Sequence, residues 1–217
     1  MSLLDHEALQ QAPLWRDPFT FTVVPSAIRP AEAAAIRDDF PEIEDSGLLP
    51  VEATHHGPKF RQLIEELQSE ATARAFSEKF GVNLVGRPQM ITVRGRCAAK
   101  DGRIHTDTPT KLITVLIYFN EGWEAKGGRL RLLRSPTDLN DMIGEVPPEL
   151  GAMIAFRRSD RSFHGHEPYE GVRRYVMINW MTTDFAARRE MFRHRVSARA
   201  KQALKLIRPR RPVGARG

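Results

Sequence analysis

The chain has 217 residues, is 41% hydrophobic and 28% charged, and carries one cysteine and a formal net charge of +6. That length suits one domain with a sizeable core, and no apolar run approaches the roughly eighteen residues that a membrane-crossing helix needs. The lone Cys97 excludes an internal disulfide framework and a multi-cysteine zinc site.

The N-terminal residues 1–7, with Asp5 and Glu7, lack the basic and apolar segments of a secretory leader, so the expectation is a cytoplasmic protein. The net charge is unevenly spread. Residues 186–217 hold 11 Lys and Arg against the single acid Glu190, whereas residues 1–185 hold 22 basic and 26 acidic residues. A mildly acidic body therefore carries a tail of +10, and the basic total is no evidence that the body binds nucleic acid.

In chain order, residues 1–18 read as an irregular lead-in with Pro13 and Pro18. Phe19 to Val24 alternates as a strand does and stops at Pro25. Pro30 opens an Ala-rich helix that ends before Pro41. Residues 41–58 read as a loop. Phe60, Leu63, Ile64, Leu67, Ala71, Phe76 and Phe80 repeat at helical spacing, with a break near Ser69 and Gly81 as the cap.

From residue 82 the pattern changes to short strands. They are expected at Val82 to Val85, Gln89 to Val93, Ile104 to Asp107, Leu112 to Phe119, Arg129 to Leu133, Met153 to Phe156, Phe163 to His166 and Tyr175 to Trp180, separated by Gly and Pro turns. Helices followed by many short strands suggest a β-sandwich or barrel with helices against one side. On the strand from Leu112, one face is uniformly apolar (Ile113, Val115, Ile117, Phe119) and suits helix packing. The other (Leu112, Thr114, Leu116, Tyr118) is mixed and suits a cavity lining. Residues 185–207 read as a basic amphipathic helix, with Phe185, Phe192, Val196, Ala203 and Ile207 near one face. The last ten residues read as disordered. The expected division is 1–81, 82–184 and 185–217.

The chemistry centres on Arg103-Ile104-His105-Thr106-Asp107. In extended chain, His105 and Asp107 leave the same face with Cα atoms about 6–7 Å apart, close enough to share a metal ion. His164, downstream in Ser162-Phe163-His164-Gly165-His166, would complete two histidines and one carboxylate, a set that binds ferrous iron and leaves positions open. His105-x-Asp107, Tyr118-x-Asn120, His164 and then Arg173 or Arg174 occur in the order that resembles the Fe(II)- and 2-oxoglutarate-dependent dioxygenases, in their prolyl-4-hydroxylase-like branch. The resemblance covers roughly residues 88–182.

That resemblance implies a mainly β fold with helices, a double-stranded β-helix (jelly roll) with N-terminal helices on one sheet and a basic C-terminal helix. It implies Fe(II) held by His105, Asp107 and His164, and 2-oxoglutarate held through its distal carboxylate by an arginine and Tyr118. Of the two arginines, Arg174 is favoured because its parity carries Val176, Ile178 and Trp180 with it; Arg173 is the alternative, carrying Tyr175, Met177 and Asn179. His166 shares the parity of His164 and is expected to line the site or bond a neighbour, with ligation in place of His164 as the alternative. Because Asp107 is present, hydroxylation of a C–H bond is the expected outcome, with O2 consumed, succinate and CO2 released, and ascorbate as a reductant that keeps iron ferrous. The primary substrate is not readable. Arg94 and Arg96, or Arg129 and Arg131, are candidate contacts for an acidic one, and Cys97 to Gly102 reads as a lid. The alternative is a jelly-roll binding protein that docks to anionic membrane or nucleic acid through residues 186–217.

Overall fold

In the computed structural model, which describes residues 2–193 and 196, two antiparallel sheets enclose one interior and helices cover the outer face of the larger. The elements in chain order are α1 (His6–Gln11), β1 (Phe21–Val24), α2 (Pro30–Asp38), β2 (Leu49–Pro50), α3 (Pro58–Gln68), α4 (Glu70–Phe80), β3 (Gln89–Cys97), β4 (Lys111–Tyr118), β5 (Leu130–Leu133), β6 (Met142–Val146), β7 (Met153–Arg157), β8 (Phe163–Gly165) and β9 (Gly171–Met181). The large sheet runs β1-β7-β4-β9-β3-β2 and the small one β6-β5-β8. This is the expected jelly-roll arrangement, with helices on one sheet.

Alternation along the central strands sorts side chains between two cores. Ile113, Val115, Ile117 and Phe119 of β4 and its following residue pack with Val176, Ile178 and Trp180 of β9 against Phe60, Leu63, Leu67 and Phe76 of the helices. Trp180 lies 5.1 Å from Phe76, centroid to centroid. The opposite face turns Leu116, Tyr118, Tyr175 and Met177 into the space between the sheets, where Leu130, Leu132 and Phe156 meet them.

Ser69 separates α3 from α4, ending one helix and accepting a hydrogen bond from the Thr72 N–H as the N-cap of the next. Gly81 then takes φ +63 at the end of α4, the left-handed conformation that glycine adopts without a Cβ clash.

Several expectations need correction. The lead-in contains α1, whose N-cap Asp5 accepts from the Ala8 N–H, so a local cap outweighs its brevity. Residues 82–85 run from a bend into a turn and form no strand, although Leu84 is fully buried. Ile104 to Asp107 pairs only through the bridge His105↔His164. An additional edge strand, β6, pairs with β5.

The chain is helical again over residues 184–193, and the apolar face read from the sequence is exposed. Ala186, with Ala187 and Met191, lies on Met90 and Met181, whereas Phe185 and Phe192 are 72% and 67% exposed. Ala203, Ile207 and the final residues lie outside the described part. No helix among the described residues is long and apolar enough to cross a membrane.

Candidate active site

His105 and His164 are set by their backbones. Each donates its N–H to the other's carbonyl, at 3.1 and 3.0 Å, so the segment before β4 is stitched to β8 at the two residues that face one another. Their rings stand 4.3 Å apart. Each ring also rests Nδ1 on a carbonyl two residues earlier, His105 on Arg103 and His164 on Ser162, both at 2.9 Å. An Nδ1–H donated there leaves each Nε2 lone pair free, the tautomer that a metal ligand needs.

Asp107 completes the set: one ligand atom from each of His105, Asp107 and His164 lies within 4.8 Å of the other two. The carboxylate is aimed by Thr114, whose hydroxyl donates to Oδ2 at 2.5 Å, and by Lys111, whose Nζ stands 2.7 Å from Oδ1. Burial works against its charge, but Lys111 and His164 outweigh burial and hold the carboxyl down at about 2. Burial, helped by His105, pushes His164 down to about 4 against the pull of Asp107. At neutral pH Asp107 is therefore an ionised carboxylate and His164 a neutral buried imidazole, both suited to a cation, beside the exposed His105.

The three open into a cavity of about 190 Å³ that also receives Arg94, Asp101, Thr114, His166, Arg173 and Tyr175. Arg173 is buried; its Nε donates to the Gly128 carbonyl at 2.7 Å and an Nη to the Tyr118 hydroxyl at 3.3 Å. Its guanidinium lies 5.3 Å from the Tyr118 ring centre and 5.0 Å from that of Tyr175. Burial pushes the Tyr118 hydroxyl up to about 12, so it stays protonated as a donor. His166 lines the same cavity, as expected, and burial with Arg173 nearby lowers it to about 4.

Arg174, favoured on parity, is corrected by the structure: it is exposed and lines a different groove with Arg37, Asp38 and Trp123, whereas Arg173 lines this cavity. The cause is Asn120. Its Oδ1 accepts from the Arg174 N–H at 2.7 Å and its Nδ2 donates to the Arg174 carbonyl at 3.1 Å. Phe119 N–H donates to that same carbonyl, which pins the strand in the register that turns residue 173 inward.

The other arginine pairs divide as well. Arg94 reaches the cavity and Arg96 is exposed. Arg129 is used on the carbonyls of Trp123 and Ala125, and Arg131 on Glu145 and Glu167. Lys111 and Thr114 are site residues that sequence reasoning missed as such. Their signal was spacing from Asp107 on a strand whose Thr114 was already assigned to the mixed face.

Two imidazoles and one carboxylate, placed in a jelly roll beside a buried arginine, make a donor set of the kind that suits ferrous iron and leaves coordination positions open. Residues 96–182 match the sequence profile of the 2OG-Fe(II) oxygenase superfamily. Among solved structures, a prolyl 4-hydroxylase from Phytophthora capsici superposes with a TM-score of 0.54 at 20% identity, over 83% of this chain and 66% of that one. One from Pseudomonas putida gives 0.52 at 15%, over 81% and 96%. A Trichoplax adhaerens prolyl hydroxylase in complex with a hypoxia inducible factor peptide fragment gives 0.52 at 14%, over 77% and 85%. These likenesses establish the fold. No curated protein matches the chain.

Proposed function

We propose that the chain is an Fe(II)- and 2-oxoglutarate-dependent hydroxylase in which His105, Asp107 and His164 hold the metal and Arg173 with Tyr118 holds the distal carboxylate of 2-oxoglutarate. The carrying observation is that the three candidate ligand atoms lie within 4.8 Å of one another in a cavity that Arg173 also lines, and that Arg173 in turn reaches the Tyr118 hydroxyl at 3.3 Å. The donor chemistry fits ferrous iron: a hard carboxylate with two imidazoles leaves coordination positions for a chelating co-substrate and O2. Bound there, iron and 2-oxoglutarate supply the chemistry that turns a C–H bond into C–OH with release of succinate and CO2.

The chain's own work is positioning. Thr114 and Lys111 orient Asp107, the two carbonyls fix the imidazole rings, and the buried Arg173 offers a charge-assisted bond to a carboxylate. Anaerobic addition of Fe(II) and 2-oxoglutarate is expected to give a visible charge-transfer band that His105→Ala abolishes. Intact protein without the band would overturn the assignment.

The primary substrate reaches the metal from the side of the exposed His105, because the enclosed space is small. A protein side chain fits that approach, and the Trichoplax relative is in complex with a peptide. Succinate release across peptide, amino-acid, lipid and nucleotide pools separates this from a small-molecule substrate.

The C-terminal helix supports a second contact, to an anionic membrane. Phe185, Phe192 and Val196 are exposed, spaced to share one helix face, and flanked by exposed Arg188, Arg189 and Arg193. Exposed aromatics favour a lipid surface over nucleic acid, and the +10 tail opposes pairing with a second copy. Phosphatidylglycerol vesicles should carry the protein in flotation at low salt, and Phe185→Ser with Phe192→Ser should release it. Equal flotation of the double variant would overturn this contact.

A further inference from the structure

Arg94 has no part in the site as described so far, yet it is held in the same cavity. It stands on β3 directly opposite Tyr175 of β9, and a bulge between Arg94 and Arg96 leaves Arg96 to solvent. The bulge residue, Gly95, is packed so closely that a Cβ would meet the Ile43 side chain at 2.6 Å. The segment that aims Arg94 inward is therefore tightly fitted.

Its guanidinium lies 5.9 Å from the Tyr175 ring centre, and that of Arg173 lies 5.0 Å from the same ring. Two guanidinium groups thus share one aromatic side chain in a cavity of about 190 Å³. Arg94 uses Nη1 on the Asp101 carboxylate at 2.5 Å, while its Nε is buried without a hydrogen-bond partner. A buried donor without a partner, beside a second cation and facing a cavity, is a place where an acceptor belongs.

Arg173 already gives its Nε and one Nη to Gly128 and Tyr118, so only its Nη1–Nη2 edge is left to meet a carboxylate. A carboxylate has about four acceptor sites, and one that enters beside Arg173 finds the Tyr118 hydroxyl on one side of Tyr175 and Arg94 on the other. The strand order places β9 between β4 and β3, which puts the two donors on opposite flanks of the Arg173 strand.

From this arrangement we infer that Arg94 is a second guanidinium of the 2-oxoglutarate seat, sharing the distal carboxylate with Arg173. The inference rests on the function proposed above and goes beyond it by naming a positioning residue on a different strand. It also gives Asp101 a role. Its carboxylate binds Arg94 and accepts from the Ala98 N–H at 2.9 Å, so the segment leading to Gly102 and His105 is tied to the arginine that grips the co-substrate.

The test is calorimetric titration of the Fe(II)-loaded protein, without oxygen, with 2-oxoglutarate and with 2-oxopentanoate, which has a methyl group where the distal carboxylate stands. Wild type is expected to prefer 2-oxoglutarate strongly. Arg94→Met should weaken 2-oxoglutarate by about tenfold or more, as loss of a charge-assisted bond implies. It should leave 2-oxopentanoate and iron affinity nearly unchanged, and Arg94→Lys should restore part of the loss.

Equal weakening of both ligands would mean that Arg94 only braces the Asp101 segment, and the inference would fall. Unchanged 2-oxoglutarate affinity would overturn it too. Wild type that binds iron but not 2-oxoglutarate would instead overturn the proposed function. If Arg94→Met does not fold, Arg94→Lys read against 2-oxopentanoate decides: a loss confined to 2-oxoglutarate supports the inference and no selective loss overturns it.

Discussion

Thr114 shows how little a single hydroxyl needs to do to matter. It is fully buried, stands 2.5 Å from the Asp107 carboxylate and 2.9 Å from Asn179 Oδ1, and carries no charge of its own. Thr114→Val keeps the shape and removes the bond, so metal affinity should drop by about 10–100-fold, as is typical when the support of a ligand is lost. Competition with a chelator measures this, and an unchanged affinity would show that Lys111 alone suffices.

His166 offers a prediction in pH. Burial and Arg173 lower it to about 4 from an ordinary 6.5. Between those values the unfolded chain takes up a proton that the folded chain refuses, so folding stability falls as pH drops through that window. His164 adds to the same slope in metal-free protein. The melting temperature of metal-free protein should decline from pH 7 to pH 5, and His166→Gln should decline less steeply. Parallel curves would contradict the cause assigned.

At the scale of elements, Asn120 links two strands through backbone atoms. Besides Arg174 it donates to the Pro148 carbonyl at 2.6 Å. Asn120→Ala leaves buried backbone groups unpaired, at a cost of about 1–3 kcal/mol, and frees β9 to rotate Arg173 away. A lower melting temperature together with weaker 2-oxoglutarate binding is the expected pair of results; stability loss without a change in binding would limit Asn120 to a structural role.

The same element explains what the sequence disclosed and what it withheld. The two faces of β4 were legible because its alternation is uninterrupted, and the His-x-Asp and distal His were legible from their order. The inward arginine was not, because facing strands share a face only once their register is known. Tyr118 stands opposite Tyr175, so the inward set runs Arg173, Tyr175, Met177. Trp180 misled the parity argument: its bulk serves the helix side against Phe76. β6 escaped notice because its burial does not alternate and Gly144 interrupts it.

Across the whole molecule, the helices and the large sheet share one core, which makes the wall behind the site rigid. The charge division follows the same plan: the acidic body holds the cavity, and the cationic residues collect at the C-terminal end. Salt should therefore weaken vesicle flotation steeply while leaving co-substrate affinity nearly constant, since buried pairs are screened far less than exposed ones. A parallel loss of both would argue against that separation.

The mutual bridge between His105 and His164 has a kinetic meaning. The two proposed ligands are separated in the chain by β4, β5, β6 and β7, so closing this pair waits on a long excursion of chain. A metal held by them would meet a nearly finished protein. Its grip should appear as slower unfolding with little gain in the rate of folding, because contacts made after the barrier act on the return path.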